Sequence, residues 1–152
     1  MSKGARRFLL LFTLVCTLAI TGFLCVFLLF KVHTIEVTGD AVYDQSTVLE
    51  VAGYQEGDNL ALLSTGQQEE DLEEQLPYVQ EATISRHFPS TLEIHITAAQ
   101  KAACISSGGQ WYTVSYRGKI LEQSESPQEG VMQVTGLTLT GPVAGEKVQV
   151  QG

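Results

Sequence analysis

Cysteine is scarce in this sequence: three occur in 152 residues, and two of them, Cys16 and Cys25, lie inside a long uncharged run. Cys104 is therefore the only thiol beyond that run and has no intrachain partner there, which excludes a disulfide scaffold. Histidine is equally sparse. His33, His87 and His95 are scattered without a short ligand spacing, and the acids fall in runs rather than in a calcium-loop order, so no metal site is indicated. No acid and base pair, activated nucleophile or phosphate cradle stands out as a local motif. Cys104 with one of the histidines comes nearest, but no third residue is placed to orient them, and the thiol reads as packing. Gly108 and Gly109 precede Trp, Tyr, Thr and Val rather than a helix start, so they mark a hairpin turn and not a phosphate loop. No catalytic, cofactor-binding or metal-ligating residue is expected, and neither is a small-molecule substrate. There is no internal repeat.

Charge is missing altogether from Phe8 to Phe30, 23 residues that include eight Leu and five Phe. At about 1.5 Å per residue such a helix reaches roughly 34 Å, enough for a hydrocarbon core of about 30 Å. The run is too long for the apolar part of a signal peptide and no small-x-small site follows it, so it is expected to stay as an uncleaved anchor. Val15 and Leu24 precede the two cysteines of the run, where lipid attachment generally wants a small residue. Residues 1–31 hold four basic and no acidic groups, whereas residues 32–152 hold five basic and seventeen acidic ones, a net of −12. Lys3, Arg6 and Arg7 therefore place a short tail, 1–7, in the cytoplasm and the acidic remainder outside. That remainder should repel nucleic acid.

Beyond the anchor, Val32 to Val37 reads as a short strand stopped by Thr38, Gly39 and Asp40. Asp44 is placed to cap a helix that ends at Gly53, with Tyr43 and Val48 spaced as a hydrophobic staple. Leu60, Leu62 and Leu63 look buried. A second helix starts at Ser64 or Thr65, with Thr65 and Gln68 at capping-box spacing, and closes before Pro77. Its acids, Glu69, Glu70, Asp71, Glu73 and Glu74, are either a docking face for a basic partner or, as favoured here, a solvated face near the positive helix start. Alternation then marks two strands, one with Ala82, Ile84 and Phe88 on its apolar face, the other with Leu92, Ile94 and Ile96. Burying one common face puts Ile84 opposite Ile94 or Ile96 and turns His87 and His95 outward. Ala98 to Ala103 reads as a hinge or strand extension. Further strands are expected at Ala103 to Ile105, Trp111 to Tyr116, Ile120 and Leu121, Val131 to Val134 and Val148 to Val150.

The order anchor, strand, helix, helix, strand, strand, with the words IEVTG at Ile35 to Gly39, AGYQEGDNL at Ala52 to Leu60, LPYVQEATISRHFPSTLEIHIT at Leu76 to Thr97 and WYTVSYRGKIL at Trp111 to Leu121, resembles the FtsQ/DivIB family of bacterial cell-division proteins. The resemblance implies an α+β chain. It has a transmembrane helix at 8–30, a POTRA domain (β-α-α-β-β) at 31–100 and a small, incomplete β module at 101–152, because family β domains continue through a helix and further strands. It departs from the family pattern at Ala98, Ala99 and Lys101 and at Ser115. The implied function is a non-enzymatic, single-pass scaffold of the division septum. Such a scaffold binds single-span coiled-coil division proteins of the FtsB/DivIC and FtsL type and helps to control septal peptidoglycan synthesis. Two rivals are a membrane-anchored extracytoplasmic enzyme, which would need Cys104 and a histidine in one cleft, and a POTRA-type transport or secretion protein, which would need repeated POTRA units.

Overall fold

In a computed structural model, which describes residues 3–151, one helix (α1, Lys3–Leu29) carries the uncharged run. Met1, Ser2 and Gly152 lie outside the described residues, so the tail expected at 1–7 and the module expected at 101–152 are described only in part. The helix begins before the apolar run because Lys and Arg are good helix formers, and apolarity marks a span rather than a helix start. Arg6–Leu29 is long and apolar enough to cross a membrane. Thr13 and Thr17 donate their hydroxyls to the carbonyls of Leu10 and Thr13, at 3.0 and 2.8 Å, so these two hydroxyls are satisfied within the helix.

Phe30 leaves the helix although the uncharged run includes it. Its carbonyl accepts the Leu60 N–H at 2.7 Å, and its ring meets Phe88 edge-on at 5.2 Å. Val32 is buried but precedes the first strand, since its N–H goes to the Asp58 carbonyl and its own carbonyl takes the Gly57 N–H, both at 2.8 Å.

Five elements follow: β1 (Thr34–Gly39), α2 (Gln45–Ala52), α3 (Gly66–Gln75), β2 (Val79–His87) and β3 (Thr91–Ala98). They form a sheet of order β1-β3-β2, with β1 parallel to β3 and β2 antiparallel to it. Two helices between β1 and β2 supply the crossover that a parallel neighbour requires. Ile84 pairs with Ile94 and Ala82 with Ile96, so both strands turn the same apolar face to the helices. Leu72, Val48, Leu60, Leu92 and Ile94 are buried in one cluster there. Gly39 sits at φ 91°, and a Cβ on it would overlap the Ile96 carbonyl, so only glycine closes β1 this tightly on β3.

Gly53 ends α2 in the left-handed conformation, as its place after Ala52 predicts, and its N–H reaches the Leu49 carbonyl. The expected side-chain caps do not form. Neither Asp44 nor Thr65 bonds a helix N–H through its side chain; the carbonyls of both residues accept the first backbone bonds instead. Leu62 and Phe88, expected inside, are exposed. Phe88 has the parity of the buried face but lies past the end of β2, where the chain already turns.

Only Ala99 and Gln100 separate β3 from β4 (Lys101–Ser107), so the passage is a strand extension rather than a hinge. The Ala99 N–H binds the Tyr78 carbonyl at 2.8 Å. A second sheet, order β6-β5-β4-β7, is built from β4, β5 (Gln110–Ser115), β6 (Ile120–Ser124) and β7 (Met132–Val134). Gly108 and Gly109, both at positive φ, make the turn between β4 and β5. Residues 134–150 then return across this sheet and bury Leu139 beside Ile105, Tyr112, Val114 and Ile120, with Val134 and Val148 packed against them. Val148 lies in no named strand, but its N–H reaches the Gly118 carbonyl at 2.8 Å.

Candidate functional site

Polar side chains tie α3 to its own sheet and tie the first sheet to the second. Glu69 and Glu73 are four residues apart and so share one helix face, about 6 Å from each other along the axis. Alternate residues of an edge strand are about 6.6 to 6.8 Å apart, and β2 is the edge of its sheet. The two spacings match. Glu69 accepts the Ile84 N–H at 2.7 Å and Glu73 the Ala82 N–H at 3.1 Å. Two of the five acids therefore cover a strand edge, and the solvated-face reading holds for Glu70 and Glu74.

The other end of α3 is held by Lys119, which follows the β5–β6 turn and is only 5% exposed. Its ammonium donates to the carbonyls of Glu73, Leu76 (3.3 Å) and Val79 (2.5 Å). Three donors meet three acceptors, so the buried charge is fully bonded, and it lies where a helix end concentrates negative potential. Burial pushes its pKa below the usual lysine value, while Glu73 and Glu74 oppose that fall.

A third contact runs along one row of the second sheet. Cys104 pairs with Thr113 and Thr113 with Glu122, and Glu122 then accepts the Tyr78 hydroxyl at 2.7 Å. Lys101 reaches Glu122 at 3.3 Å and lies 5.5 Å from the centre of the Tyr78 ring. The Tyr78 bond does most to hold the Glu122 carboxyl below the usual carboxylate range, and burial with the Glu122 partner raises Tyr78. Arg117 meets Glu81 at 3.1 Å, and Gly145, at φ 97°, passes so near the Glu74 carbonyl that a Cβ there would overlap it. Between these contacts lies a cleft of about 450 Å³ lined by Glu70, Glu73, Glu74, Lys119 and Lys147 among others.

This arrangement can fix two sheets against each other; it does not assemble reacting groups. Cys104 is buried against the Thr113 hydroxyl at 3.4 Å. The histidines are bonded elsewhere: His33 to the Lys31 carbonyl, His87 to Glu93 at 2.7 Å and His95 to Thr38 at 3.1 Å. Thr38 and His87 hold the Glu93 carboxyl below its usual range. No group of three His, Cys, Asp or Glu side chains placed to hold a metal is found among the described residues. Sequence reasoning did not single out Lys119 or Glu122, and it placed Glu69 and Glu73 on a solvated face where the structure has them accept from β2. A lone lysine after a turn glycine, in a strongly acidic region, was the one available signal.

A three-stranded sheet with one parallel pair, backed by two short helices behind an apolar helix, defines the class: residues 30–97 match the POTRA domain of the FtsQ type. The cell division protein FtsQ of Corynebacterium glutamicum is 32% identical over 123 residues, 80% of this chain and 54% of that protein. The cell division protein DivIB of Clostridium acetobutylicum is 23% identical over 120 residues, 78% of this chain and 48% of that protein. The chain is thus similar to the FtsQ and DivIB cell division proteins through an FtsQ-type POTRA domain, and it spans about half the length of these curated relatives.

Proposed function

We propose that this chain is a membrane-anchored, non-enzymatic scaffold of bacterial cell division. The FtsQ-type POTRA domain, bonded directly to the end of an apolar helix long enough to span a membrane, carries the reading. In this proposal α1 crosses the cell membrane once, with the basic tail inside and residues 31–100 and 101–152 outside as a POTRA domain and a β module. Two separate apolar clusters, one per sheet, support that division. The scaffold binds single-span coiled-coil proteins of the FtsB/DivIC and FtsL type at the septum and helps to control septal peptidoglycan synthesis. Relatives named as cell division proteins support the role. The short-range network around Lys119 supports a rigid platform rather than a reacting cleft. A fluorescent fusion at the N-terminus, followed in dividing cells of the source organism, is expected at the septum, and a periplasmic or surface reporter after residue 152 is expected to be active. Uniform membrane fluorescence through division, or a reporter active only in the cytoplasm, would overturn the reading.

A further inference from the structure

Two large apolar side chains of the first unit are left in solvent: Leu62, 69% exposed, and Phe88, 59% exposed. They stand on different loops, before α3 and after β2, yet both loops are tied to the same place. The Phe88 ring meets Phe30, one residue beyond α1, at 5.2 Å. The Asn59 side-chain amide donates to two carbonyls of the last helical turn, those of Val26 and Phe27, at 3.3 and 3.4 Å, and the Leu62 N–H binds the Asn59 carbonyl at 3.0 Å. Exposure of this kind scattered over a surface needs no explanation. Exposure gathered at the foot of an apolar helix does.

The helix supplies the explanation. Arg6–Leu29 is about 36 Å long, slightly more than a hydrocarbon core of about 30 Å, so with the arginines reaching back to the inner surface Leu29 lies at the outer boundary of the core. The headgroup layer beyond it is about 5 to 7 Å thick, and a ring centred 5.2 Å from that of Phe30 is within reach of it. Lys31, next in the chain, brings a positive charge to the phosphates. We infer that the foot of the POTRA unit is a lipid-binding surface, with Phe88 and Leu62 seated in the outer headgroup layer beside the α1 end. The occupant is the bilayer itself, because the surface is continuous with the span. Contact at the helix end and at these two side chains sets the tilt of the unit on the membrane. The inference rests on α1 being a span.

The test uses the full chain in vesicles of phosphatidylcholine and phosphatidylglycerol whose acyl chains are brominated near the headgroup. The only tryptophan is first removed with Trp111→Phe. Single tryptophans are then placed by Phe88→Trp, Leu62→Trp, Phe23→Trp within the span, and Tyr116→Trp as the distant control. Tyr116 is exposed, and its neighbour Arg117 binds Glu81, seven residues or about 23 Å of strand away from Phe88. Emission from positions 88 and 62 is expected to be quenched by the bromines and shifted to the blue, while position 116 is unaffected. A water-soluble quencher should give the reverse order on the same samples, and dilution to one chain per vesicle should change neither. Positions 88 and 62 behaving like 116 while Phe23→Trp is quenched would overturn the lipid surface alone. An unquenched Phe23→Trp would overturn the span, and the inference with it.

Discussion

The two sheets meet the same problem, a free edge of unpaired N–H and C=O groups, in different ways. The first is covered on both sides by helix side chains: Glu69 and Glu73 accept from β2, and Gln45 of α2 donates to the Ile35 carbonyl of β1 at 3.1 Å. The second has no helix. Its β6 edge is met by irregular chain, with Ile120 and Gly118 bonded to Glu146 and Val148, and β7 at its other edge is three residues long. The cores differ in step, thirteen buried residues in the first cluster against five in the second among the described residues. A unit of under seventy residues can thus guard its edges with polar side chains when an amphipathic helix lies beside them. A helix-free unit must spend chain length on the task instead. The second sheet is accordingly expected to lean on the first, and Lys119 is the main tie.

The comparison is broken most severely in the larger core. Ile94→Ala removes a fully buried side chain at the centre of the first sheet and should cost about 2 to 4 kcal/mol in chemical denaturation, taking both sheets with it. His95→Ala, one residue on and outward-facing, should cost less than about 0.5 kcal/mol. Equal costs would mean that the register does not decide stability here.

Next in size is the tie itself. Lys119→Met keeps most of the apolar stem and deletes the ammonium that three carbonyls share, at an expected cost of about 1 to 3 kcal/mol. Amide exchange should then quicken over residues 101–151 while the first sheet stays protected. Uniform protection in this variant would show that the second sheet stands alone.

Smaller again is the effect on the guarded edge. Glu69→Ala leaves the Ile84 N–H without its acceptor and should cost about 1 to 2 kcal/mol, whereas Glu69→Gln, which keeps an oxygen there, should cost less. If Ala and Gln are equivalent, the carboxylate does not cap the strand.

The smallest expected effect is one of acidity. Glu122 has a folded pKa below its ordinary value of 4.5, so its contribution is complete above that pH and is lost as the pH falls through the lower folded value. The stability gap between the native protein and Glu122→Gln should therefore narrow from pH 6 to pH 3. A gap that holds constant would remove the Tyr78 and Lys101 contacts from the account. Tyr54 acts at the other extreme: burial pushes it up to about 12, so unfolding is favoured as the pH rises above about 10, where the unfolded tyrosine ionises first.

Much of this was legible because it is local. The parity of Ala82 and Ile84 against Ile94 and Ile96 admits only registers that bury one face, and the observed Ile84–Ile94 pairing is one of them. Gly53 after Ala52 and Pro77 after Leu76 bound the two helices because one can turn left-handed and the other cannot continue a helix. The expectations that failed were of the same local kind. Asp44 and Thr65 stand where caps belong, yet their carbonyls take the bonds; Phe88 has the right parity but lies beyond the sheet; Leu62 points outward in a turn closed by Asn59.

By itself the sequence determined the elements whose reasons lie within a few residues: an uncharged run long enough to be a span, two strands whose apolar residues alternate, and the glycines and proline that punctuate them. Only the tertiary structure decided what the charged residues do. Whether Glu69 is solvated or caps a strand depends on Ile84, fifteen residues away, and whether Lys119 is a surface lysine or a buried tie depends on carbonyls 40 to 46 residues away. A charge has no period to betray its partner, and its role is set by whichever unpaired backbone groups the fold brings within about 3 Å of it.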